Sequence, residues 1–192
     1  MKITIIYGSS TGNTQNAAEI IADELTNLNA DYQVEVLDVC DATPEQFNQP
    51  NLLIAGISTW DIGELQCDWF DAYEQLDDTD LSGSTFALFG LGDAGAYSDT
   101  YQDAMGILHD KLLERGAKAI GYWPTENYIY DDSRAVIDGN KFCGLALDEE
   151  GESDKTEERI IEWVKQVSKE LELVKQHADA SSLTTSLRNK LA

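Results

Sequence analysis

Positive charge is almost absent from the first half of this 192-residue chain. After Lys2, neither lysine nor arginine occurs before Lys111, whereas residues 3–110 contain 20 aspartate and glutamate residues. The whole sequence has 36 acidic and 13 basic residues, which gives a formal net charge of −23. A surface of that sign repels nucleic acids and anionic lipids, so we expect binding to neither. It favours a basic protein partner, unless the acidity serves only solubility or salt tolerance.

Cysteine is also scarce, and Cys40, Cys67 and Cys143 form no CxxC pair. An odd number of cysteines at that spacing argues against a disulfide framework and against a zinc site, so we expect free thiols and no metal. The N-terminal apolar run, residues 3–6, is too short for a signal peptide or a membrane span. We therefore expect a cytoplasmic protein.

Apolar residues follow strand-like and helix-like patterns in alternation along the chain. The predicted strands are 2–7, 33–39, 51–58 and 84–90, with 117–123 and 142–147 as two pieces of one further strand. The predicted helices begin near Gly12 and cover 66–77, 99–115 and about 153–174. This alternation with short links is typical of an α/β protein with an open parallel sheet and helices on both faces.

We predict one domain over residues 1–174, followed by a C-terminal tail over 175–192 that is either helical or flexible. In an open parallel sheet, ligands bind beyond the carboxyl ends of the strands. The loops after Tyr7, Ser58 and Gly90 are therefore the first candidates for a binding site, and the loop after Leu147 is a further one.

The loop after the first strand, SSTGNT (9–14), leads from a strand into a helix. Backbone N–H groups and the positive helix end converge on such a loop, and its hydroxyls add further donors for a phosphate. The loop lacks the Gly-Lys-Ser/Thr ending of a Walker motif and is not a GxGxxG sequence, which argues against Mg²⁺-dependent nucleotide hydrolysis. By itself, it is also consistent with an ordinary turn that is capped by Ser or Thr.

Two aromatic residues lie on the other strand-end loops. Trp60 follows the third strand in STWDIGELQCDW (58–69), and Tyr97 lies in the glycine-rich stretch GLGDAGAYSDT (90–100). Taken alone, Trp60 is as consistent with a half-buried packing role as with a ligand-binding role. A glycine-rich turn with one tyrosine is also common without a ligand. Together, and near a phosphate-binding loop, the two residues predict a sandwich around a flat aromatic ring that is tethered to a phosphate.

With these motifs the chain resembles the flavodoxins, specifically the long-chain type. The resemblance spans residues 1 to about 173 and is carried by YGSSTGNT, STWDIGELQCDW, FGLGDAGAY, GYWPTENY and FCGLALDEE. It implies a three-layer flavodoxin-like fold with a five-stranded parallel sheet in the order 2-1-3-4-5. It also implies that an insertion over residues 123–141 splits the fifth strand.

The resemblance further implies a low-potential one-electron carrier that binds FMN without a covalent link and uses the semiquinone/hydroquinone couple. Trp60 and Tyr97 match the family's two stacking aromatics. The Asp61–Ile62 peptide matches the one that turns its carbonyl towards the flavin N5–H, and Asp148 matches a position that approaches the cofactor. The residues that the resemblance assigns to the FMN site are Ser9, Ser10, Thr11, Gly12, Asn13, Thr14, Ser58, Thr59, Trp60, Asp61, Ile62, Gly63, Leu91, Gly92, Asp93, Tyr97 and Asp148.

The implied partners are basic redox proteins, such as an NADPH-dependent flavodoxin/ferredoxin reductase, and downstream acceptor enzymes. An acidic rim that includes Glu64, Asp68, Asp71 and Asp99 would steer them towards a monomeric carrier without substrate turnover of its own. The alternative is an FMN-dependent NAD(P)H–quinone reductase of the same fold, although no basic residue near the flavin loops could bind an NADP phosphate. A non-redox flavin-binding module is a further alternative. A phosphate-receiver domain is excluded, because it needs paired acids directly after the first strand.

Overall fold

Parallel β-strands form the centre of the molecule, and its computed structural model describes residues 1–190, with side chains as far as His177. The elements in chain order are β1 (Lys2–Tyr7), α1 (Asn13–Leu28), β2 (Gln33–Asp38), α2 (Pro44–Asn48), β3 (Leu52–Trp60), β4 (Glu64–Leu65), α3 (Trp69–Gln75), β5 (Thr85–Leu91), α4 (Asp103–Glu114), β6 (Lys118–Ala119), β7 (Trp123–Pro124), β8 (Val136–Ile137), β9 (Lys141–Phe142), β10 (Leu145–Leu147) and α5 (Thr156–Lys190).

The main sheet has the strand order β2-β1-β3-β5-β10, and every neighbouring pair in it is parallel. β6 pairs with the start of β5 and β10 pairs with its end, so the two short strands share one edge position. The predicted order 2-1-3-4-5 is confirmed, with β5 as the fourth strand and with β6 and β10 as the split fifth. Between the two pieces, β7, β9 and β8 form a small antiparallel sheet.

The boundaries of several predicted elements were wrong for identifiable reasons. Trp123 and Phe142 pair with each other in the small sheet, so the two pieces of the fifth strand are shorter than predicted. The helix predicted at 66–77 covers only Trp69–Gln75, because residues 66–68 form the link from β4 and a 3-10 turn over Leu76–Asp78 follows the helix. The helix predicted at 99–115 begins at Asp103, since Gln102 has a φ of 65° that no α-helix accommodates.

Helices cover both faces of the sheet because the strands are apolar on both sides. Every residue of β5 is buried, as expected for a strand between two helical layers. α1 turns Ala17, Ile21 and Leu25 towards the core at helical spacing and packs beside α5. Trp163 of α5 is fully buried and donates a hydrogen bond of 2.7 Å to the carbonyl oxygen of Gly121, which anchors that helix.

The C-terminal helix extends beyond its predicted end. The structure continues α5 to Lys190, whereas the sequence predicts a helix only to about residue 174. Residues 191–192 of the predicted tail lie outside the described residues, as do its side chains after His177. The division into a domain and a tail stays a prediction. Within residues 1–190, no helix is both long enough and apolar enough to cross a membrane.

The thiol of Cys40 has a raised pKa. Desolvation, a hydrogen bond with Asp38 and the charges of Asp68 and Asp41 raise the pKa of this exposed thiol to about 11. At pH 8 the thiolate fraction is then roughly a hundredfold below that of an ordinary cysteine, and greater intrinsic nucleophilicity offsets part of that loss. We expect iodoacetamide to alkylate Cys40 about tenfold more slowly than it alkylates the cysteine of a model peptide. Mass spectrometry over time measures both rates.

Salt and charge provide the control for this prediction. Because screening weakens the effect of the acids, the rate at Cys40 should rise with added NaCl while that of the peptide stays constant. Asp38→Asn should raise the rate as well. Equal rates for the protein and the peptide at low salt would contradict the prediction.

Candidate functional site

A cavity of about 330 Å³ opens at the carboxyl ends of β1, β3 and β5. Its size falls at the lower end of the range for small-molecule sites. It is lined by Thr11, Asn13, Thr14, Ser58, Thr59, Trp60, Asp61, Leu91, Gly92, Asp93, Tyr97, Thr100, Tyr101, Glu149 and Glu150. The three loops that the sequence singled out therefore converge on one place.

Eleven of the seventeen predicted site residues line this cavity. The other six belong to the same loops but lie outside the lining set: Ser9, Ser10, Gly12, Ile62, Gly63 and Asp148. Four lining residues were not predicted from the sequence: Thr100, Tyr101, Glu149 and Glu150. The first two had been assigned to a helix. The position of the last two directly behind the final strand was the available signal for them.

The first turn of α1 faces the cavity as an uncapped helix end. Its N-cap is Gly12, with a φ of 91°, so no side chain at that position can bond to the helix N–H groups. The alternative of an ordinary turn capped by Ser or Thr is therefore wrong; Ser9 Oγ instead accepts from the Gly12 N–H at 3.1 Å, within the loop. The first turn reads NTQN, without a carboxylate to compete with an anion. The helix end can therefore bind a phosphate.

Two large aromatic side chains line the cavity while remaining open to solvent. Trp60 is 39% exposed and Tyr97 is 52% exposed. Trp60 lies in a hairpin, because β3 and β4 pair Thr59 with Leu65, and its indole N–H donates to Ser58 Oγ at 2.9 Å. Both rings are therefore available to a flat ligand, and that of Trp60 is held in place before a ligand arrives.

The hairpin turn between β3 and β4 requires unusual backbone angles. Asp61 has a φ of 47° and Gly63 a φ of 85°. Aspartate is one of the few residues with a side chain that adopt such angles at moderate cost. Ile62 is 84% exposed and points away from the protein. A Cβ on Gly63 would stand 2.7 Å from Asp103 Oδ2, so these two residues shape the turn rather than the cavity wall.

Asp103 joins this turn to the inserted segment behind it. Its carboxylate accepts a hydrogen bond of 2.7 Å from the backbone N–H of Arg134. Desolvation by burial raises the pKa of Asp103. Thr59 Oγ1 accepts from the N–H of Ala104 at 3.2 Å, so the start of α4 is attached to the end of β3.

Asp148 connects two loops that line the cavity. It is only 3% exposed, and its Oδ2 accepts from the N–H of Ala94 at 3.0 Å. Its Oδ1 accepts from the N–H groups of Glu150 and Gly151 at 3.1 Å and 2.7 Å. These contacts turn its carboxylate towards the protein, and the approach of Asp148 to a cofactor stays a prediction. Asp148 acts as a tether between the loops.

The charged residues that line the cavity are all acidic: Asp61, Asp93, Glu149 and Glu150. Of the residues described, none of those lining the cavity is lysine or arginine. Arg159 lies outside the lining set, where it pairs with Glu152 at 2.7 Å and covers the ring of Tyr128 at 4.2 Å. An anion in this cavity must therefore be held by N–H and O–H dipoles.

Comparison with known proteins assigns the family. The family model described as Flavodoxin matches residues 5–163. The chain belongs to the flavodoxin family. A flavodoxin of Nostoc sp. is 47% identical over 172 residues, which cover 90% of this chain and 98% of that protein. Flavodoxin 2 of Escherichia coli K12 is 44% identical over 176 residues, covering 89% of this chain and 97% of the relative.

Solved flavodoxins share the fold as well. A Fusobacterium nucleatum flavodoxin whose crystal structure contains flavin mononucleotide has a TM-score of 0.80 at 28% identity, covering 88% of this chain and 98% of that chain. Flavodoxin 1 of Bacillus cereus has a TM-score of 0.68 at 29% identity. Flavodoxins are electron-transfer proteins, so this chain is an electron carrier rather than an enzyme.

Proposed function

We propose that this flavodoxin binds FMN without a covalent link and acts as a low-potential one-electron shuttle between redox proteins. The observation that carries the proposal is the cavity itself: an uncapped helix end, two exposed aromatic rings and an entirely acidic set of charged residues meet at the strand ends. When bound, FMN accepts and donates electrons singly.

The residues present fit each part of this cofactor. The phosphate would be held by N–H and hydroxyl donors of residues 9–14, the isoalloxazine ring by Trp60 and Tyr97, and its pyrimidine edge by residues 91–93. Asp61 and Ile62 would lie beside the central ring. The chain's contribution is to bind the ring, exclude water from its faces and surround it with negative charge.

Titration of the apoprotein with FMN tests this function. We expect saturable binding, a yellow complex that turns blue part-way through dithionite titration, and no oxidation of NADPH by the complex alone. Oxidation of NADPH with quinone as acceptor would instead support the reductase alternative. Failure to bind FMN would contradict the proposal.

The acidic lining provides the physical reason for a low potential. Adding negative charge to a ring beside Glu150 and Asp93 is opposed by their carboxylates, so the second electron is harder to add. Glu150→Gln should therefore raise the potential of the second one-electron reduction, by tens of millivolts at low salt, roughly as Coulomb's law gives at an effective dielectric of 20. Spectroelectrochemical titration measures it.

An acid at the opposite end of the sheet serves as the matched control. Glu114 is the last residue of α4, whose first turn is next to the cavity, and it is exposed. Glu114→Gln removes the same charge and, at the same low salt, should shift the potential much less than Glu150→Gln, because a Coulomb interaction weakens with distance. Equal shifts in both variants would show that net charge, rather than the lining, sets the potential.

We further propose that the partners are basic redox proteins, including an NADPH-dependent flavodoxin/ferredoxin reductase, and that the carrier acts as a monomer in the cytoplasm. The net charge of −23 and the exposed acids Glu64, Asp71 and Asp99 support electrostatic steering. The association rate with such a reductase should fall roughly tenfold or more between 10 and 300 mM NaCl, in stopped-flow measurements. A rate independent of salt would contradict the steering.

A further inference from the structure

Gln66 is a fully buried amide that lies beneath the phosphate-binding loop. It is 0% exposed and follows β4 directly, so it belongs to the segment that also holds Trp60. A Cβ on Gly8 would stand 2.3 Å from Gln66 Oε1, which shows how closely the amide packs against the start of residues 9–14. A buried polar side chain in this position needs a hydrogen-bonding role.

Asp68 fixes the orientation of this amide from both sides. Gln66 Nε2 lies 2.7 Å from Asp68 Oδ2, a carboxylate oxygen that can only accept. Gln66 Oε1 lies 3.1 Å from the backbone N–H of Asp68, which can only donate. A flipped amide would bring oxygen against oxygen and N–H against N–H, so the arrangement with Nε2 facing the carboxylate is the favoured one.

The second N–H of that amide points at Ser10. Gln66 Nε2 donates to Ser10 Oγ at 3.1 Å, across 56 residues of sequence. Ser10 is exposed, so once its oxygen accepts this bond its own proton is free to point away from the protein core. The hydroxyl is thereby turned from an ambivalent group into a hydrogen-bond donor on the phosphate-binding loop.

We propose that Gln66 is a positioning residue that makes Ser10 a donor for the FMN phosphate, and that this relay contributes to discrimination between FMN and unphosphorylated riboflavin. The inference rests on the proposed binding of FMN. In a cavity whose charged lining is acidic, the affinity for a phosphate depends on the number and orientation of the neutral hydrogen-bond donors around it. One hydroxyl in a fixed orientation therefore contributes measurably to that affinity.

The ratio of the riboflavin Kd to the FMN Kd tests this role, because any loss of folded protein affects both ligands equally and cancels in the ratio. Gln66→Met and the surface variant Ser10→Ala should each lower the ratio about tenfold, as expected for one hydrogen bond to a charged group. The double variant should lower it no further, since both changes remove the same donor. Fluorescence titration of the apoprotein with each flavin gives the two constants.

Gln102 provides the matched control. It is also a glutamine with 0% exposure, its Nε2 donates to the carbonyl oxygen of Leu147 at 2.9 Å, and it packs against Gly90 and Gly92 on the loop after β5. Gln102→Met should leave the ratio unchanged. An unchanged ratio in Gln66→Met or in Ser10→Ala, or additive losses in the double variant, would overturn the relay. Failure of the unmodified protein to bind FMN would instead overturn the proposed function.

Discussion

Asp148→Asn should lower the affinity of the apoprotein for FMN and for riboflavin by about tenfold each and the free energy of unfolding by roughly 1–3 kcal/mol. An asparagine can keep its oxygen towards Glu150 and Gly151, but its NH₂ group then faces the N–H of Ala94. One of the two hydrogen bonds that tie the loop containing Asp93 to the end of β10 is lost, and a buried donor is left unpaired; the other bond, from the N–H of Gly92 to the carbonyl oxygen of Leu147, remains. The Kd values of both flavins should rise alike, because this loop is separate from residues 9–14, the proposed phosphate site.

Asp148→Asn removes a negative charge as well as the hydrogen bond from the N–H of Ala94, so the effect of the charge needs its own control. Glu150→Gln removes one negative charge two residues further along, and leaves the backbone N–H of residue 150 bonded to Asp148. It should change the affinities by less than about threefold, as for an exposed charge. Isothermal titration and chemical unfolding of the two variants give the comparison. An equal loss in both would show that the carboxylate acts through its charge.

Gly8→Ala should lower the unfolding free energy by about 1–3 kcal/mol, the usual cost of overpacking a filled interior, and should raise the FMN Kd more than tenfold. A Cβ at residue 8 would stand 2.6 Å from the Trp69 ring and closer still to Gln66. Trp69 cannot move freely, because it is fully buried and its indole N–H donates to the carbonyl oxygen of Gly56 at 3.0 Å. The strain therefore falls on residues 9–14, the proposed phosphate site, and on the side chain of Gln66.

A glycine with room around it serves as the control for Gly8→Ala. Gly95 is exposed, and the nearest atom to an added Cβ is Asp93 Oδ1 at 3.4 Å, an ordinary contact. Gly95→Ala should therefore change stability by no more than about 0.5 kcal/mol. Thermal and urea unfolding of both apoproteins check the comparison, and similar losses at the two positions would show that glycine's backbone freedom, rather than packing, matters at residue 8.

Much of the fold was predictable from the sequence because the strands are local apolar runs. The stretches that became β1, β3 and β5 are buried on both faces, and their composition shows this without any knowledge of their neighbours. The boundaries around Glu64 and Gln102 were not predictable in the same way. A β-hairpin pairing and a left-handed backbone angle stop the helical patterns there, and neither leaves a trace in apolar spacing.

By itself, the sequence determined the layer architecture, the loops that meet at the strand ends and the two aromatics that line the cavity, because each depends on a contiguous segment. Only the tertiary structure decided what Gln66 and Asp148 do. Their contacts join residues 56 and 54 positions apart, Ser10 with Gln66 and Ala94 with Asp148. A side chain's hydrogen-bond partner depends on which backbone folding brings beside it, and no pattern within either loop specifies that.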